Sequence, residues 1–429
     1  MRNWRLRVFA ATWLCYAGYY FCRRPFYVAK GKLAADLNFD ASTLGTIGAI
    51  YLIAYAAGQF IAGSAGTRAG PRVMMLTGMA ISVAVNIGFG LSSSSQAFFI
   101  LMTINGLAQA TGWSSNIGTM ASWFNRQERG TVMGLWATNF QVGGVVANAM
   151  ASWLLGDHHW PTVFFAGSAV LSAVWLFVLV NQRNTPADVG LPPVLDADAD
   201  AQAVAVAAAD ATAGNKTPNT RNIFIRIGWD KSVILNILIV GMFYFFVKLI
   251  RYALWSWSPF FLASNYHLGA DTAGYVSILF DAFGVPGVIV TGWVSDRYFQ
   301  SSRAGVSLMM TLLLLSSCIF LYTAGSVSVG AFAVGIAVAG FSLYGPDALL
   351  TGAGAMDIGN RRGAILAAAL ISGIGSLGPI VQELVIGKLY DAKGGDLSAI
   401  FLLLLLSACG AVITMTVGVV RNRLGYSRL

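Results

Sequence analysis

Two arginines interrupt long apolar stretches of this sequence, Arg23 near the N-terminus and Arg251 228 residues later. Even lenient scales put the cost of a charged side chain at the centre of a membrane helix at about 2.5–3.5 kcal/mol, so such residues indicate a functional site. Each arginine has neighbours that would share its helical face, at steps of four, three and four residues. The two sets lie at the same offset of 228 residues: Tyr16, Tyr20, Arg23 and Tyr27 in the first stretch, and Tyr244, Lys248, Arg251 and Trp255 in the second. Two cationic faces directed at a shared centre predict a binding site for an anion.

Composition indicates an all-α membrane protein, with these arginines at membrane depth. Of the 429 residues, 56% are hydrophobic and only 10% are charged, whereas soluble proteins have about 25% charged residues. The 48 glycines suit close packing between membrane helices. Twelve apolar segments are long enough to cross about 30 Å of hydrocarbon, at approximately 6–34, 43–64, 72–92, 97–121, 129–155, 161–181, 232–263, 272–294, 304–325, 327–350, 362–388 and 396–420.

The net charge of +9 is distributed as in a membrane protein rather than a nucleic-acid-binding protein. Most of the 27 Lys and Arg residues lie at the termini or in alternate loops, and the loops between segments 3–4, 5–6, 7–8 and 9–10 contain none. Basic residues accumulate in the cytoplasmic loops of membrane proteins. We therefore expect a multi-pass protein in a lipid bilayer, with both termini in the cytoplasm and no nucleic-acid partner.

No group of residues predicts covalent catalysis. The three histidines, His158, His159 and His267, fall in loops on the side opposite the termini. The four cysteines lie within apolar segments and lack the spacing of metal ligands. We expect neither a metal nor a cofactor, and we do not expect an enzyme.

An internal repeat relates the two ends of the chain. Residues 63–68 (GSAGTR) after segment 2 match residues 292–297 (GWVSDR) after segment 8, and Arg129-Gly130 after segment 4 matches Arg362-Gly363 after segment 10. The repeat predicts two parallel halves of six helices each.

The predicted boundaries are 1–183 for the first half, 184–231 for a cytoplasmic linker and 232–429 for the second half. The linker has an Ala/Asp-rich centre without an apolar run of membrane length, which favours a flexible segment. Charged residues in and beside the repeated loops are candidate gating residues: Arg68, Arg72, Arg129, Asp296, Arg297 and Arg362.

The repeated loops resemble the G-x-x-x-D-R-x-G-R loop of the major facilitator superfamily, which implies twelve transmembrane helices in two halves that rock about a midplane site. Within that superfamily the chain resembles the organophosphate:phosphate antiporter family over nearly its whole length. The motifs that carry this resemblance are YYFCRRPF (19–26), NGLAQATGW (105–113), ERGTVMGLW (128–136), VGG (142–144), NTPADVGLPP (184–193), RYALWSWSP (251–259), GVPG (284–287), GWVSDRYF (292–299) and YGPDAL (344–349).

The resemblance implies a role for the two arginines. In that family one arginine from helix 1 and one from helix 7 hold the substrate phosphate, and the matching residues here are Arg23 and Arg251. A guanidinium stays charged and presents a fork of donors that fits phosphate or carboxylate. Other candidate substrate-binding residues are Lys248, Tyr20, Tyr16, Gln59, Trp113, Gln141 and Trp255.

Three positions depart from the family pattern. Gln59 stands where a lysine is common, Phe140 where the glycerol-phosphate carriers have a histidine, and Lys248 where they have a tyrosine. One interpretation is that Lys248, one turn from Arg251, replaces the missing cation. The other is that Lys248 pairs with an acid or reaches toward the membrane surface.

The predicted helices contain the acids Asp281, Asp347 and Glu383. The resemblance implies that Asp281 pairs with Arg24. Asp347 and Glu383 are either proton carriers, since a buried carboxylate readily changes its protonation, or partners of Lys30, Lys248 or Lys388. Counting Arg23, Arg24, Lys248 and Arg251 against the three acids predicts a cationic cavity.

These features predict a secondary transporter of a small organic anion, with an organophosphate exchanged for inorganic phosphate by alternating access. One alternative is proton-coupled transport of a phosphonate, a polycarboxylate or a carboxylate siderophore, and another is a sensor that binds sugar phosphate without transporting it. We expect a monomer in a bacterial inner membrane.

Overall fold

The computed structural model describes residues 1–124, 132–133, 135–136, 138–192, 194, 231–298, 303–349 and 360–424, with all their side chains except those of 60, 63–68, 296, 303–304, 348–349 and 360–369. Within these residues the chain is helical and has no β-strand, as predicted. The helices form twelve consecutive spans: Arg2–Tyr19 with Arg24–Leu37 (span 1), Ala41–Ala69 (span 2), Pro71–Leu91 (span 3), Ser95–Trp123 (span 4), Thr138–Asp157 (span 5), Pro161–Asn181 (span 6), Lys231–Ser264 (span 7), Ala270–Tyr298 (span 8), Arg303–Ala324 (span 9), Val329–Leu349 (span 10), Asn360–Ala392 (span 11) and Ser398–Arg423 (span 12).

Nine helices in the described ranges are long and apolar enough to cross a membrane. Spans 1, 4 and 5 fall outside this set, and each of them buries polar side chains. Lys30 in span 1, Asn105 in span 4 and Asn148 in span 5 are each at most 1% exposed. Polar groups at membrane depth face the interior of the protein, where other polar groups can pair with them.

The segment 6–34 predicts one continuous helix, and this prediction is wrong. The helix ends at Tyr19, passes through a 3-10 turn at Tyr20–Cys22 and begins again at Arg24. Pro25 causes the break, because its ring has no N–H and collides with the carbonyl of the residue four positions earlier. Tyr20 and Arg23 therefore sit at a joint rather than along a regular helical face.

Two backbone carbonyls beside the break meet residues of other spans. The oxygen of Cys22 accepts hydrogen bonds from the side-chain amides of Asn86 (3.2 Å), Asn105 (3.0 Å) and Gln109 (3.2 Å). The oxygen of Phe21 lies against Gly167 of span 6, where a Cβ would come within 2.1 Å. The break is thus built into the first half of the molecule by spans 3, 4 and 6.

The two halves meet mainly through span 2 with span 11, span 5 with span 8, and span 1 with span 7. We call the side with loops 1–2, 5–6, 7–8 and 11–12 the distal side, and the opposite side the terminal side. On the distal side, Asp391 accepts hydrogen bonds from the backbone N–H groups of Ala41 (3.1 Å) and Ser42 (2.7 Å). Asn148 donates to the carbonyl of Gly274 at 2.9 Å. These contacts hold the distal ends of the halves together.

The first residues of the predicted linker 184–231 form a capped turn at Pro186–Val189. The side chain of Asn184 accepts a hydrogen bond from the backbone N–H of Arg72 at 2.8 Å, which ties the turn to the start of span 3. Residues 195–230, the rest of the predicted linker except Lys231, lie outside the described residues. The linker and the boundaries of the two halves therefore stay predictions.

Candidate anion-binding site

A small cavity lies between the halves at the level of the two arginines. Its volume is about 50 Å³, and its lining residues come from spans 1, 2 and 7: Tyr20, Arg23, Tyr27, Tyr51, Leu52, Tyr55, Arg251, Tyr252 and Trp255. Small-molecule sites usually enclose about 300–1,000 Å³, and a water in the liquid takes about 30 Å³. The cavity must therefore enlarge before an organic anion can enter it.

Arg23 is positioned by the break in span 1. Its Nε donates to Oε1 of Gln109 at 2.9 Å, and the Nε2 of Gln109 donates to the carbonyl of Cys22 at 3.2 Å. The hydroxyl of Tyr51 donates to the same Oε1 at 3.0 Å. Gln109 therefore links the Cys22 carbonyl to the guanidinium and fixes the direction of Arg23.

Aromatic rings rather than acids surround the charge of Arg23. The guanidinium carbon lies 5.0 Å from the ring centre of Tyr20, 5.5 Å from that of Tyr51 and 5.1 Å from that of Tyr55, within the range of cation–π attraction. None of the ion pairs found among the described residues includes Arg23, and its buried Nη2 has no hydrogen-bond partner there. Arg23 thus offers a positive charge and an unused donor beside the cavity.

Arg251 also lines the cavity, but an acid neutralises it. Its Nη1 lies 2.6 Å from Oδ2 of Asp347 in span 10, and its guanidinium carbon lies 4.5 Å from the ring centre of Tyr344. The two predicted clamp residues therefore face one cavity with different partners.

Lys248 lies outside the cavity lining, although the sequence predicts a substrate-binding role for it. Its Nζ lies 4.4 Å from the ring centre of Tyr244 and donates to the hydroxyl of Ser376 at 3.3 Å. One turn separates it from Arg251 on span 7, so the two side chains lie on one face of the helix.

The remaining substrate-binding candidates divide into two groups. Tyr20 and Trp255 line the cavity. Tyr16 and Trp113 pack against each other with ring centres 5.3 Å apart, one turn toward the terminal side. Neither these two nor Gln59 and Gln141 line the cavity.

Gln59 has an exposed side chain, and that of Gln141 is half-buried. Trp136 extends the Tyr16–Trp113 group, 5.6 Å from the Trp113 ring.

Each of the three acids pairs with a cation. Arg24 pairs with Asp281, whose other oxygen accepts from the hydroxyl of Tyr344. Glu383 pairs with Lys30 at 2.9 Å and also accepts from Ser256. For Glu383 this is one of the two interpretations considered above.

Asp347 forms an ion pair with Arg251, a partner that the interpretations above do not include. The charge count also omits Lys30, which is fully buried. Adding Lys30 to the count gives five cations against three acids.

The sequence-based candidates lack Gln109, which holds Arg23, and four residues that line the cavity: Tyr51, Leu52, Tyr55 and Tyr252. Tyr51 and Tyr55 are four residues apart in span 2, so their spacing places them on one face. Gln109 lies inside the NGLAQATGW motif. Polar side chains at membrane depth in spans 2 and 4 are the sequence signal for Tyr51, Tyr55 and Gln109.

Of the candidate gating residues, the structure describes the side chains of Arg72 and Arg297 only. Arg72 donates to the carbonyl of Leu179 at 2.6 Å, so it joins spans 3 and 6. The guanidinium of Arg297 lies 5.7 Å from the ring centre of Trp293. Arg129 and the side chains of Arg68, Asp296 and Arg362 lie outside the described residues.

Comparison with known proteins places this geometry in a family. Residues 12–363 match the family model for the Major Facilitator Superfamily. The glycerol-3-phosphate transporter of Bacillus subtilis is 31% identical over 381 residues, covering 87% of this chain and 83% of the relative. A probable hexose phosphate transport protein of Chlamydia pneumoniae is 27% identical over 399 residues, covering 92% of this chain and 87% of the relative.

Among solved structures, a bacterial homologue of the human lysosomal transporter Spinster, inward-facing and occupied, superimposes with a TM-score of 0.71 at 14% identity. The alignment covers 100% of this chain and 99% of that one. This likeness supports the fold. The chain therefore belongs to the Major Facilitator Superfamily, as a multi-pass membrane transporter whose curated relatives match the organophosphate:phosphate antiporter resemblance.

Proposed function

We propose that this protein exchanges a small phosphate ester for inorganic phosphate, and that Arg23 and Arg251 bind the phosphate group between the two halves. One observation carries the proposal. The buried Nη2 of Arg23 has no hydrogen-bond partner among the described residues, and it belongs to a side chain that lines a cavity together with Arg251 of the other half. The relatives named as phosphate-ester transporters support the same substrate class. Phosphate matches two guanidinium forks better than a singly charged anion does, because it has more oxygens to accept from both.

Alternating access requires the cavity to open to one side at a time. The contacts of Asp391 and Asn148 hold the distal side closed, so substrate enters this conformation from the terminal side, past Tyr16 and Trp113. The basic loops support a cytoplasmic position for the terminal side, and the bacterial relatives support the inner membrane. Because one chain contains both arginines, the transport unit is a monomer.

The organic part of the substrate meets aromatic surface. Tyr20, Tyr27 and Tyr252 offer hydroxyl groups at the cavity, and Trp255 offers an apolar face. Such a lining suits a short polyol or sugar, whose hydroxyls accept and donate while its C–H faces pack on rings. This supports phosphorylated three- to six-carbon compounds as the first substrates to examine.

Counterflow in proteoliposomes tests the proposal. Vesicles loaded with inorganic phosphate should accumulate external labelled phosphate and glycerol 3-phosphate, and empty vesicles should not. Phosphate binding without counterflow would contradict exchange and favour the sensor. No binding of any phosphate compound would overturn the whole proposal.

Proton-coupled anion transport is the second candidate, and the Lys30–Glu383 pair favours it. Lys30 belongs to the first half and Glu383 to the second, and both are fully buried on the distal side of the cavity. Opening toward the distal side separates the pair and exposes Glu383 to water, where it can exchange a proton. Under this candidate, Glu383→Gln or Asp347→Asn abolishes uptake driven by a pH gradient and preserves phosphate:phosphate exchange. Wild-type uptake that does not depend on the pH gradient would eliminate proton-coupled transport.

A further inference from the structure

The acid at Arg251 has no equivalent at Arg23, and it must affect how an anion binds. Asp347 contacts Arg251 at 2.6 Å, and the Asp347 side chain is only 11% exposed. Its carboxylate also acts electrostatically on Lys248 and interacts with Tyr244. Tyr244, Lys248 and Arg251 on span 7 are thus among the groups that interact with Asp347.

An anion that binds Arg251 competes with Asp347 for its positive charge. Both would place negative oxygens on one guanidinium, in surroundings where few waters screen their repulsion. A buried carboxylate that loses a cation partner is strongly destabilised. Binding at Arg251 therefore requires another cation for Asp347.

Lys248 is placed to be that cation. It lies one turn before Arg251 on the same face of span 7. Its present contacts are a 3.3 Å hydrogen bond to Ser376 and the Tyr244 ring, and none of the ion pairs found among the described residues includes it. A change of side-chain rotamer at Asp347 would move its carboxylate from Arg251 to Lys248.

We infer that Asp347 competes with the substrate anion for Arg251, and that Lys248 receives Asp347 when the anion binds. This inference rests on the proposed anion site. Lys248 is then a positioning residue, which acts through Asp347 and does not touch the phosphate. The arrangement also gives the anion a way out, because Asp347 can return to Arg251 and displace it.

A double-mutant cycle tests the inference on the purified full-length chain, with labelled inorganic phosphate as the probe. Asp347→Asn should tighten phosphate binding by about tenfold, whereas Lys248→Met should weaken it by about tenfold in the wild-type background. In the Asp347→Asn background, Lys248→Met should change the affinity by less than about twofold, because no carboxylate remains to be received.

Two readouts separate this role from a structural one. In proteoliposomes Asp347→Asn should slow phosphate exchange at saturation while it tightens binding, whereas a damaged protein would lose both. Asp271→Asn, which removes a carboxylate at the distal end of span 8, is the charge control and should leave phosphate affinity unchanged. The unfolding temperature without ligand shows whether each variant is folded.

Equal losses from Lys248→Met in both backgrounds would overturn the inference, because Lys248 would then bind the anion directly. Unchanged or weaker binding by a folded Asp347→Asn variant would also overturn it. If wild-type protein binds no phosphate compound, the proposed function fails instead, so the two failures are distinguishable.

Discussion

Arg23 and Arg251 occupy matched positions in the two halves, yet their surroundings differ. Arg23 is held by an amide and three tyrosine rings and keeps one donor unused. Arg251 is held by a carboxylate. The first arrangement leaves the charge available at all times, and the second makes it available only when Asp347 moves. Under the proposed function, the two repeats supply a permanent and a conditional half of one binding site.

The largest expected effect comes from breaking the permanent half. Arg23→Lys keeps the charge but loses the fork of donors and the hydrogen bond to Gln109. Truncating one partner of a buried charged contact costs about 2–5 kcal/mol, so phosphate affinity should fall by about 100-fold or more. Equilibrium binding of labelled phosphate measures this.

Arg251→Lys should weaken binding by a smaller factor, because the wild-type contact must first displace Asp347. Both variants should reach the membrane in normal amounts, which immunoblotting of membrane fractions checks. If Arg251→Lys weakened phosphate binding more than Arg23→Lys did, Arg251 rather than Arg23 would belong to the permanent half of the site.

The next prediction concerns the Lys30–Glu383 pair, which joins the halves away from the cavity. Removing one partner of a buried ion pair destabilises by about 3–5 kcal/mol. Lys30→Met should therefore lower the unfolding temperature in detergent, and Lys30→Met with Glu383→Gln should recover part of the loss. If the double variant is less stable than the single one, the two residues are not a mutually dependent pair.

Gln109 allows the support of Arg23 to be tested without changing any charge. A hydrogen bond to a charged group contributes about 1.5–3 kcal/mol, so Gln109→Ala should weaken phosphate binding by about tenfold. Ser376→Ala removes a hydroxyl partner of Lys248 and is the matched control, with a change of less than about threefold expected. Similar effects of the two substitutions would show that Gln109 has no special role.

The smallest effect is expected at Gln59, where the family commonly has lysine. Its side chain is exposed and lies outside the cavity lining. Exposed charges contribute about 0–1 kcal/mol, so Gln59→Lys should change phosphate affinity by less than about fivefold. A gain of tenfold or more would place this face of span 2 in the substrate path.

Sequence patterns predict the spans and pick out the two arginines that line the cavity, because apolar length and intramembrane charge are local signals. They fail where a partner lies far along the chain. Gln109 is separated from Arg23 by 86 residues, and Asp347 is separated from Arg251 by 96. Which of several cations Asp347 contacts depends on the rotation of span 10 against span 7, and no spacing within either helix sets that rotation.

Span 1 illustrates the same limit more closely. Pro25 signals a break, but the amides that satisfy the Cys22 carbonyl come from spans 3 and 4. Only helix packing could predict that these amides take part. The position of Arg23 depends on the same packing.

The Cys22 carbonyl has a further consequence for how the transporter can be observed. Three amides fasten the joint of span 1 to its own half, so Arg23 cannot shift relative to spans 3 and 4 during the cycle without losing these bonds. Its movement relative to Arg251 then equals the rotation of one half against the other. Distances between probes on spans 3 and 7 would report directly on the spacing of the two guanidinium groups, so spectroscopy on labelled protein could follow the binding site without touching it.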